Sequence, residues 1–316
     1  MEELDGLYTP PIVEYKKCRL SVTDFSSQLW CETKMWYSLA TGYREETLAM
    51  RQGTERHLQL EKEDHEVVEL EVSTREDNLG IRLFNTLVSL QDILPRQGKV
   101  REVWVGICRF DSVVRGVIDQ IDYVRHPSGA LLIKDTKTRR TPDEPSLAQK
   151  KTSAIQLQVY MWLISELRRT YGHEDWTKFF QLYNVDPQRP FETEVLQKWS
   201  NLNDLILDYH RAFAQLPVLT DYALVEYECA GVMFKADQIP YRPSATMFAL
   251  HDAFALWWGE RRAPRPVKLD EKWKCYKCCF LGICGNTPLS EEEKATCIRQ
   301  KQELDVLAQD LEELGD

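Results

Sequence analysis

Apolar and polar positions along this chain predict helices first, then strands, then a mixture of both. Residues 21–40 (SVTDFSSQLWCETKMWYSLA) place Phe25, Leu29, Trp36 and Leu39 at helical spacing. Ser21 or Thr23 can accept the first free backbone N–H groups there. Residues 44–64 continue as helix, with His57 about one turn from both Gly53 and Leu60. Residues 66–73 alternate and read as a strand, 79–94 as a helix and 99–110 as a strand. Two strands follow within 113–140, joined by a turn at His126-Pro-Ser-Gly129. A polar, Pro-containing connector over 141–151 precedes a helix over 153–170. Residues 175–186 are mixed, with a strand-like FFQLYNV, and 194–216 form an amphipathic helix ended by Pro217. Residues 222–235 are strand-rich and 244–258 helical. A basic, Pro-rich stretch over 259–274 leads into a cysteine cluster, and 290–314 is a charged helix with an acidic end. No repeat is visible. This order predicts an α/β fold, a central mixed β-sheet flanked by helices.

The strand pair over 113–140 (VVRGVIDQIDYVRHPSGALLIKDTKTRR) carries an anomaly. Strand residues two apart share a face. Asp119 therefore lies with Val117, Ile121 and Tyr123, and Asp135 and Lys137 with Leu131 and Ile133. Charges on an apolar face are costly unless they are paired or hold a metal. On the next helix Gln156, Tyr160, Leu163 and Leu167 share a face, so Gln156 and Tyr160 can reach the pair if that helix packs behind it.

Composition narrows the class. A chain of 316 residues, 43% hydrophobic, holds one elaborated domain or two with a sizeable core. No apolar run approaches the roughly 18 residues of a membrane span. The start, MEELDGLYTPP, has neither the apolar run of a signal peptide nor the Arg-rich face of a transit peptide. A net charge of −10 argues against indiscriminate binding to nucleic acid. Two islands run the other way: six basic against three acidic residues over 134–151, and seven against three over 257–277. An acidic protein with two basic islands fits a nucleic-acid channel, although ordinary solvated charge explains either island alone equally well.

Nine cysteines are unevenly placed. Cys18, Cys108 and Cys229 sit among apolar residues and read as core thiols. Four fall between Cys275 and Cys284, and without a secretory signal they point to metal or iron–sulfur ligation rather than disulfides. Cys275-x2-Cys278-x5-Cys284 supplies three thiolates; the adjacent Cys279 points away from its neighbour. A tetrahedral zinc site usually comes as two short pairs. Three clustered thiolates plus a remote one, with Cys31 the candidate 244 residues upstream, suit a [4Fe–4S] cluster. A zinc-bound structural module is the other reading.

Taken in order, Cys31 in SQLWCE, Gly53-x-x-x-His57, Asp119 in GVIDQID, Asp135-Thr-Lys137, Gln156-x-x-x-Tyr160 and the terminal CxxCx5C resemble RecB-like nucleases with an iron–sulfur clip. Among these the chain is most similar to the exonuclease V family, over about residues 20–285. Two positions depart from the PD-(D/E)xK pattern: Ile118 stands where the signature has Pro, and Asp135 where many relatives have Glu. The resemblance implies a restriction-endonuclease-like core over residues 21–289, between an N-terminal extension (1–20) and an acidic C-terminal helix (290–316). It implies Mg²⁺ (or Mn²⁺) on Asp119 and Asp135, with the Thr136 carbonyl and His57 as further ligands. Lys137 would orient water or stabilise charge on phosphorus, while Gln156 and Tyr160 support the site and the DNA backbone. A [4Fe–4S] cluster on Cys31, Cys275, Cys278 and Cys284 would join N- and C-terminal segments and close a ring of chain around the core. The implied activity is metal-dependent exonucleolytic hydrolysis of single-stranded DNA, leaving 5′-phosphate and 3′-hydroxyl ends, in DNA repair and genome maintenance. The alternative is a non-catalytic DNA-binding scaffold, against which the intact Asp119, Asp135 and Lys137 argue. The expected protein is a nuclear monomer off the membrane, with cytoplasm and mitochondrion left open. Its expected partners are single-stranded DNA and a single-strand DNA-binding protein. Trp30, Trp36, Tyr160 and Trp273 are the aromatics open to base stacking.

Overall fold

A computed structural model describes residues 8–64, 72–124 and 129–313, with side chains as far as residue 303. The strand expected over 66–73 and the turn at 126–129 fall almost wholly outside these residues. In chain order the elements are α1 (Pro11–Glu14), β1 (Arg19–Ser21), α2 (Val22–Trp30), α3 (Glu32–Thr41), α4 (Leu48–Asp64), α5 (Arg75–Val88) and α6 (Leu94–Gln97). Then come β2 (Lys99–Arg109), β3 (Ser112–Val124), β4 (Ala130–Arg139), α7 (Leu147–Arg169), α8 (Thr177–Tyr183) and α9 (Leu202–Gln215). The chain finishes with β5 (Val218–Leu219), β6 (Tyr222–Cys229), β7 (Val232–Pro240), α10 (Pro243–Trp257), α11 (Trp273–Tyr276) and α12 (Glu291–Glu313). These divide into two compact units, one drawn from residues 16–26 and 46–254, the other from 1–15, 27–45 and 255–316.

The larger unit is built on a mixed sheet of seven strands among the described residues, flanked by helices. Its centre is β3. One edge of β3 pairs antiparallel with β2 along nearly its whole length. The other edge is shared: the first half pairs parallel with β1 (Arg19↔Val113 to Ser21↔Arg115), the second antiparallel with β4 (Gln120↔Lys134 to Val124↔Ala130). On its opposite edge β4 pairs with β6, in parallel register from Lys134↔Leu224 to Arg139↔Cys229, while its pairing with β3 ends at Lys134. The β3 and β4 strands thus part company just where Asp119 and Asp135 follow their last shared pair. Ladder hydrogen bonds that stop there leave backbone groups and side chains free to face a ligand.

The central strands are buried on both faces, with runs of consecutive buried residues in β3 and β4. Val113, Ile118, Ile121, Leu131 and Ile133 are essentially inaccessible, so Ile118, in the place of the signature proline, fills an ordinary core position. Helix α7 packs on β2, β4 and β6 through Leu157, Tyr160, Ile164 and Leu167, an i, i+3, i+4 stripe. Gly116 on β3 lets this helix close in, because a Cβ there would meet Tyr160 Cε1 at 2.6 Å and Val22 Cγ2 at 2.9 Å. The face of Asp119 is less apolar than the alternation implies: Val117 and Tyr123 are exposed, while Ile121 between them is buried.

Several boundaries correct the sequence reading. The helix expected over 21–40 is broken at Cys31, whose backbone is extended (φ −166°) and whose Sγ accepts the Lys34 N–H at 3.3 Å as the cap of α3. Leu29, expected in an apolar stripe, is exposed. The connector over 141–151 ends earlier, because Ser146 and Gln149 form a capping box and start α7 at Leu147. The strand-like FFQLYNV is helix α8; Phe179 and Tyr183, one turn apart, bring their rings to 4.8 Å, and Asn184 ends the helix at φ 54°. The helix expected from 194 begins at Leu202, where Asn201 Oδ1 accepts the Asn203 and Asp204 N–H groups; residues 194–196 form one 3-10 turn. Cys18, Cys108 and Cys229 are half-buried, not core thiols.

Candidate active site and candidate cluster site

In the larger unit, α4 supplies His57. Arg56 beside it forks onto Glu228 of β6 (2.8 and 2.9 Å), and Asp64 at the helix end receives Arg101 of β2 at 2.6 Å. These charge-assisted contacts fix the helix at both ends of the segment bearing His57. The ring Nε2 lies 3.1 Å from the Thr136 carbonyl and 3.7 Å from Asp119 Oδ2. The Thr136 N–H donates to that same Asp119 oxygen at 3.2 Å.

Across the parting of the strands, Lys137 Nζ sits 2.9 Å from Asp135 Oδ1 and 2.8 Å from Oδ2, and donates to Gln156 Oε1 at 3.2 Å. Tyr160, buried behind Gln156, holds that amide through its phenol. Every residue expected at the site is therefore brought together: His57, Asp119, Asp135, Thr136, Lys137, Gln156 and Tyr160. Burial of Tyr160 removes it from the aromatics open to base stacking and leaves it the supporting place.

The sequence reading missed one residue. Glu102 on β2 points Oε1 to within 3.5 Å of His57 Nδ1, and His57, Glu102 and Asp119 offer ligand atoms that all lie within 4.8 Å of one another. Glu102 stands at φ 52°, and the β2–β3 register passes from Arg101↔Gln120 to Val103↔Ile118 without pairing it to Asp119. A non-glycine in the left-handed region inside a strand is strained, and such strain concentrates at functional sites. Nothing in the local pattern KVREVWVGICR marks it, because the strain belongs to a pairing with another strand.

The electrostatics follow from crowding. Burial, then the nearby Asp135, push the Asp119 carboxyl well above the ordinary carboxylate range. Burial pulls the Lys137 ammonium down, but Asp135 and Asp119 more than offset it. The hydrogen bond that His57 Nδ1–H donates to Glu102, with the Asp119 charge, raises His57 to about 9. Asp135 is 1% exposed, and its Oδ2 has no hydrogen bond despite the ammonium beside it. A buried carboxylate oxygen without a hydrogen bond, a carbonyl and an imidazole turned toward a second carboxylate form a hard-donor set of the kind Mg²⁺ and Mn²⁺ take.

One prediction arises here. Glu102→Gln should bring the His57 imidazole from about 9 down toward its ordinary 6.5 in metal-free protein, read by NMR titration. A raised histidine pKa gives stability fully present below about 6.5 and lost as pH rises through about 9. The stability gap between parent and variant should therefore close across that window in urea unfolding. An unchanged titration would remove Glu102 from this role.

The smaller unit gathers the cysteines. Cys31, Cys275, Cys278 and Cys284 line one small cavity with Lys34, Tyr37 and Phe280; Cys279 is not among its lining residues. Cys279 faces Lys34 and Glu45 instead. Cys297, which the sequence reading left unassigned, packs from α12 against the apolar cluster of Val267, Cys275, Leu281 and Leu289. Burial pushes the Cys31 thiol up to about 11, and Cys275 and Cys284 upward too. A pocket in which Cys31 joins the three thiols of C-x2-C-x5-C has the donor chemistry of an iron–sulfur cluster, whose irons hold such ligands as thiolates.

The sequence model described as "Exonuclease V - a 5′ deoxyribonuclease" matches residues 11–129, 125–215 and 211–286, which together span most of the chain. The chain belongs to the exonuclease V family. As a member it is a deoxyribonuclease. The chain is 28% identical to Exonuclease V of Danio rerio over 295 residues, covering 87% of this chain and 72% of that one. It is 36% identical to the mitochondrial Exonuclease V of Debaryomyces hansenii over 86 residues, 24% of this chain and 14% of that one. A crystal structure of SSO0001 aligns over 86% of this chain and 88% of that one at 16% identity, with a TM-score of 0.38, too low to carry any conclusion. Among the described residues no helix is long and apolar enough to cross a membrane.

Proposed function

We propose that the chain is a metal-dependent exonuclease hydrolysing phosphodiester bonds of single-stranded DNA from the 5′ end, acting as a monomer in nuclear DNA repair and genome maintenance. The observation that carries this reading is the convergence of Asp119, Asp135, the Thr136 carbonyl and His57 beside Lys137, at the point where β3 and β4 separate. Asp119, Asp135 and the Thr136 carbonyl would hold Mg²⁺ or Mn²⁺, with His57 as a nitrogen ligand. A cation bound there polarises a phosphate and lowers the pKa of water.

The protein's own groups do the rest. Lys137, held between Asp135 and Gln156, presents a fixed ammonium that orients the attacking water and stabilises charge growing on phosphorus. Gln156 sets the height of that ammonium, and Tyr160 sets Gln156. His57 must lose its proton to ligate, so affinity for the cation rises with pH. Glu102, on the far side of the ring, keeps Nε2 turned toward Asp119. Cys31, Cys275, Cys278 and Cys284 would hold a [4Fe–4S] cluster with a structural role.

The experiment is direct. The protein is incubated with 5′- and 3′-end-labelled single- and double-stranded DNA and RNA, with Mg²⁺ or EDTA, and the products are sized. Shortening of single-stranded DNA alone, only with the cation and from the 5′ end, supports the proposal. Equal attack on duplex, or undiminished cleavage in EDTA, overturns it.

A further inference from the structure

The smaller unit carries an exposed aromatic and cationic surface that its own packing does not explain. Leu269 opens a 3-10 turn, and Trp273 and Tyr276 begin and end α11 just after it. Large apolar side chains so close in sequence normally turn inward. Here all three lie outward, 70%, 41% and 43% exposed. Trp273 meets Trp30 edge-on, with ring centroids 5.6 Å apart. Lys274 Nζ lies 4.5 Å from the centre of the Trp30 ring, anchored there by the Trp30 carbonyl at 3.0 Å. Packing of this kind holds the two indoles rigid at small entropic cost to a ligand.

Charge selects the occupant. Of the basic residues in this stretch, Arg261 is taken by Glu32, Lys272 by Glu293 and Lys274 by Glu271. Lys268 and Lys277, at either end of the exposed segment, are exposed and form no ion pair among the described residues. An apolar segment bounded by such cations fits a polyanion that has flat apolar faces of its own.

We propose that Trp273, with Trp30 behind it and Tyr276 alongside, is a stacking platform for the bases of single-stranded DNA, and that Lys268 and Lys277 hold the phosphates on either side. The inference rests on the reading of the chain as a single-strand exonuclease and adds a binding site on the unit that bears the four cysteines. Stacking of this kind reads no sequence, because every base has an apolar face.

The test measures binding to a fluorescent single-stranded oligonucleotide and to an abasic oligonucleotide of equal length, in EDTA so that no cleavage runs. Trp273→Ala should weaken binding of the normal oligonucleotide by about 10-fold and leave the abasic one nearly unchanged, erasing the preference for bases. Lys268→Gln with Lys277→Gln should lower the slope of log Kd against log salt by about 1.4, at about 0.7 per phosphate released. Iron content and visible absorption check that each variant is intact. If Trp273→Ala loses its iron, Trp273→Phe and the double lysine variant carry the test: the first should retain the base preference, the second the reduced slope. Parental affinity and base preference in Trp273→Ala overturn the platform, as does an acidic peptide displacing DNA while the base preference is absent. Failure of the two readings is distinguishable: parental protein that neither binds nor cuts single strands refutes the exonuclease reading, whereas intact cutting with parental binding by Trp273→Ala refutes the platform alone.

Discussion

Replacing Asp119 by Asn is expected to slow cleavage of single-stranded DNA by about 10³-fold or more while raising the thermal stability of the metal-free protein. The two effects have one cause. Asp119 is held against Asp135 in a buried site, which pushes its carboxyl well above the ordinary carboxylate range. An acid whose folded pKa lies above its unfolded value destabilises the fold at every pH above the unfolded value; here the penalty is absent near pH 3 and grows as pH rises toward the folded pKa. Asparagine removes the charge yet keeps an oxygen able to accept the Thr136 N–H that Asp119 now receives at 3.2 Å. Nuclease assays together with calorimetry in EDTA at pH 5 and pH 8 check both halves. Stability should gain more at pH 8, and added Mg²⁺ should stabilise the parent far more than the variant, since only a folded state that binds the cation is favoured by it. A variant that cuts at the parental rate would falsify the place given to Asp119. One that melts lower in EDTA would show that the carboxylate is a net support rather than a net strain.

Cys31→Ser should remove most of the iron and the visible absorption, and cost the cysteine-bearing unit roughly 5 kcal/mol, the chain-entropy value for a cross-link closing so long a loop. Serine is chosen because Cys31 also caps α3 through its sulfur. Serine caps a helix at least as well, so the helix start is retained and the loss reports ligation alone. The unit should not fall apart completely. Arg261 still forks onto Glu32 at 2.6 and 2.7 Å, Trp257 Nε1 still donates to Gln28 Oε1 at 3.1 Å, and the Tyr37 hydroxyl still reaches the Ile283 carbonyl at 3.1 Å. Iron and sulfide analysis, anaerobic spectra and denaturant unfolding followed by tryptophan fluorescence give the measurements. A colourless parental protein containing one zinc per chain would overturn the cluster assignment and leave the four thiols a zinc site.

The basic island over 134–151 shows how charge counting misleads. Lys134 is spent on Asp122 and Glu226 at 2.9 and 3.0 Å, Lys137 on Asp135, and Lys150 on Glu144 and Asp237. Much of its excess is neutralised within the sheet and its neighbours. In the island over 257–277, Arg261, Lys272 and Lys274 are likewise taken by carboxylates, whereas exposed Lys268 and Lys277 form no ion pair among the described residues. A sequence counts charges; only side-chain geometry says which remain for a ligand.

Local order was legible wherever one element carries its own pattern. The alternation across 113–140 placed Asp119, Asp135 and Lys137 on strands, and helical spacing put Gln156 and Tyr160 one turn apart; both hold in β3, β4 and α7. Cysteine spacing set Cys279 apart from Cys275, Cys278 and Cys284, and the cavity lining agrees. What the chain alone could not express is anything decided by two elements at once. The break at Cys31 interrupts an otherwise continuous helical pattern with an extended residue. The parting of β3 from β4 after Gln120↔Lys134 depends on β1, which takes the first half of the same β3 edge. Glu102 reaches His57 because its own left-handed backbone drops out of the β2–β3 register, and no spacing rule within β2 contains that. Periodicity encodes which side chains share a face, because that follows from the geometry of one backbone; register, strain and the distances between faces come from pairing segments far apart in sequence, and only the folded chain decides them.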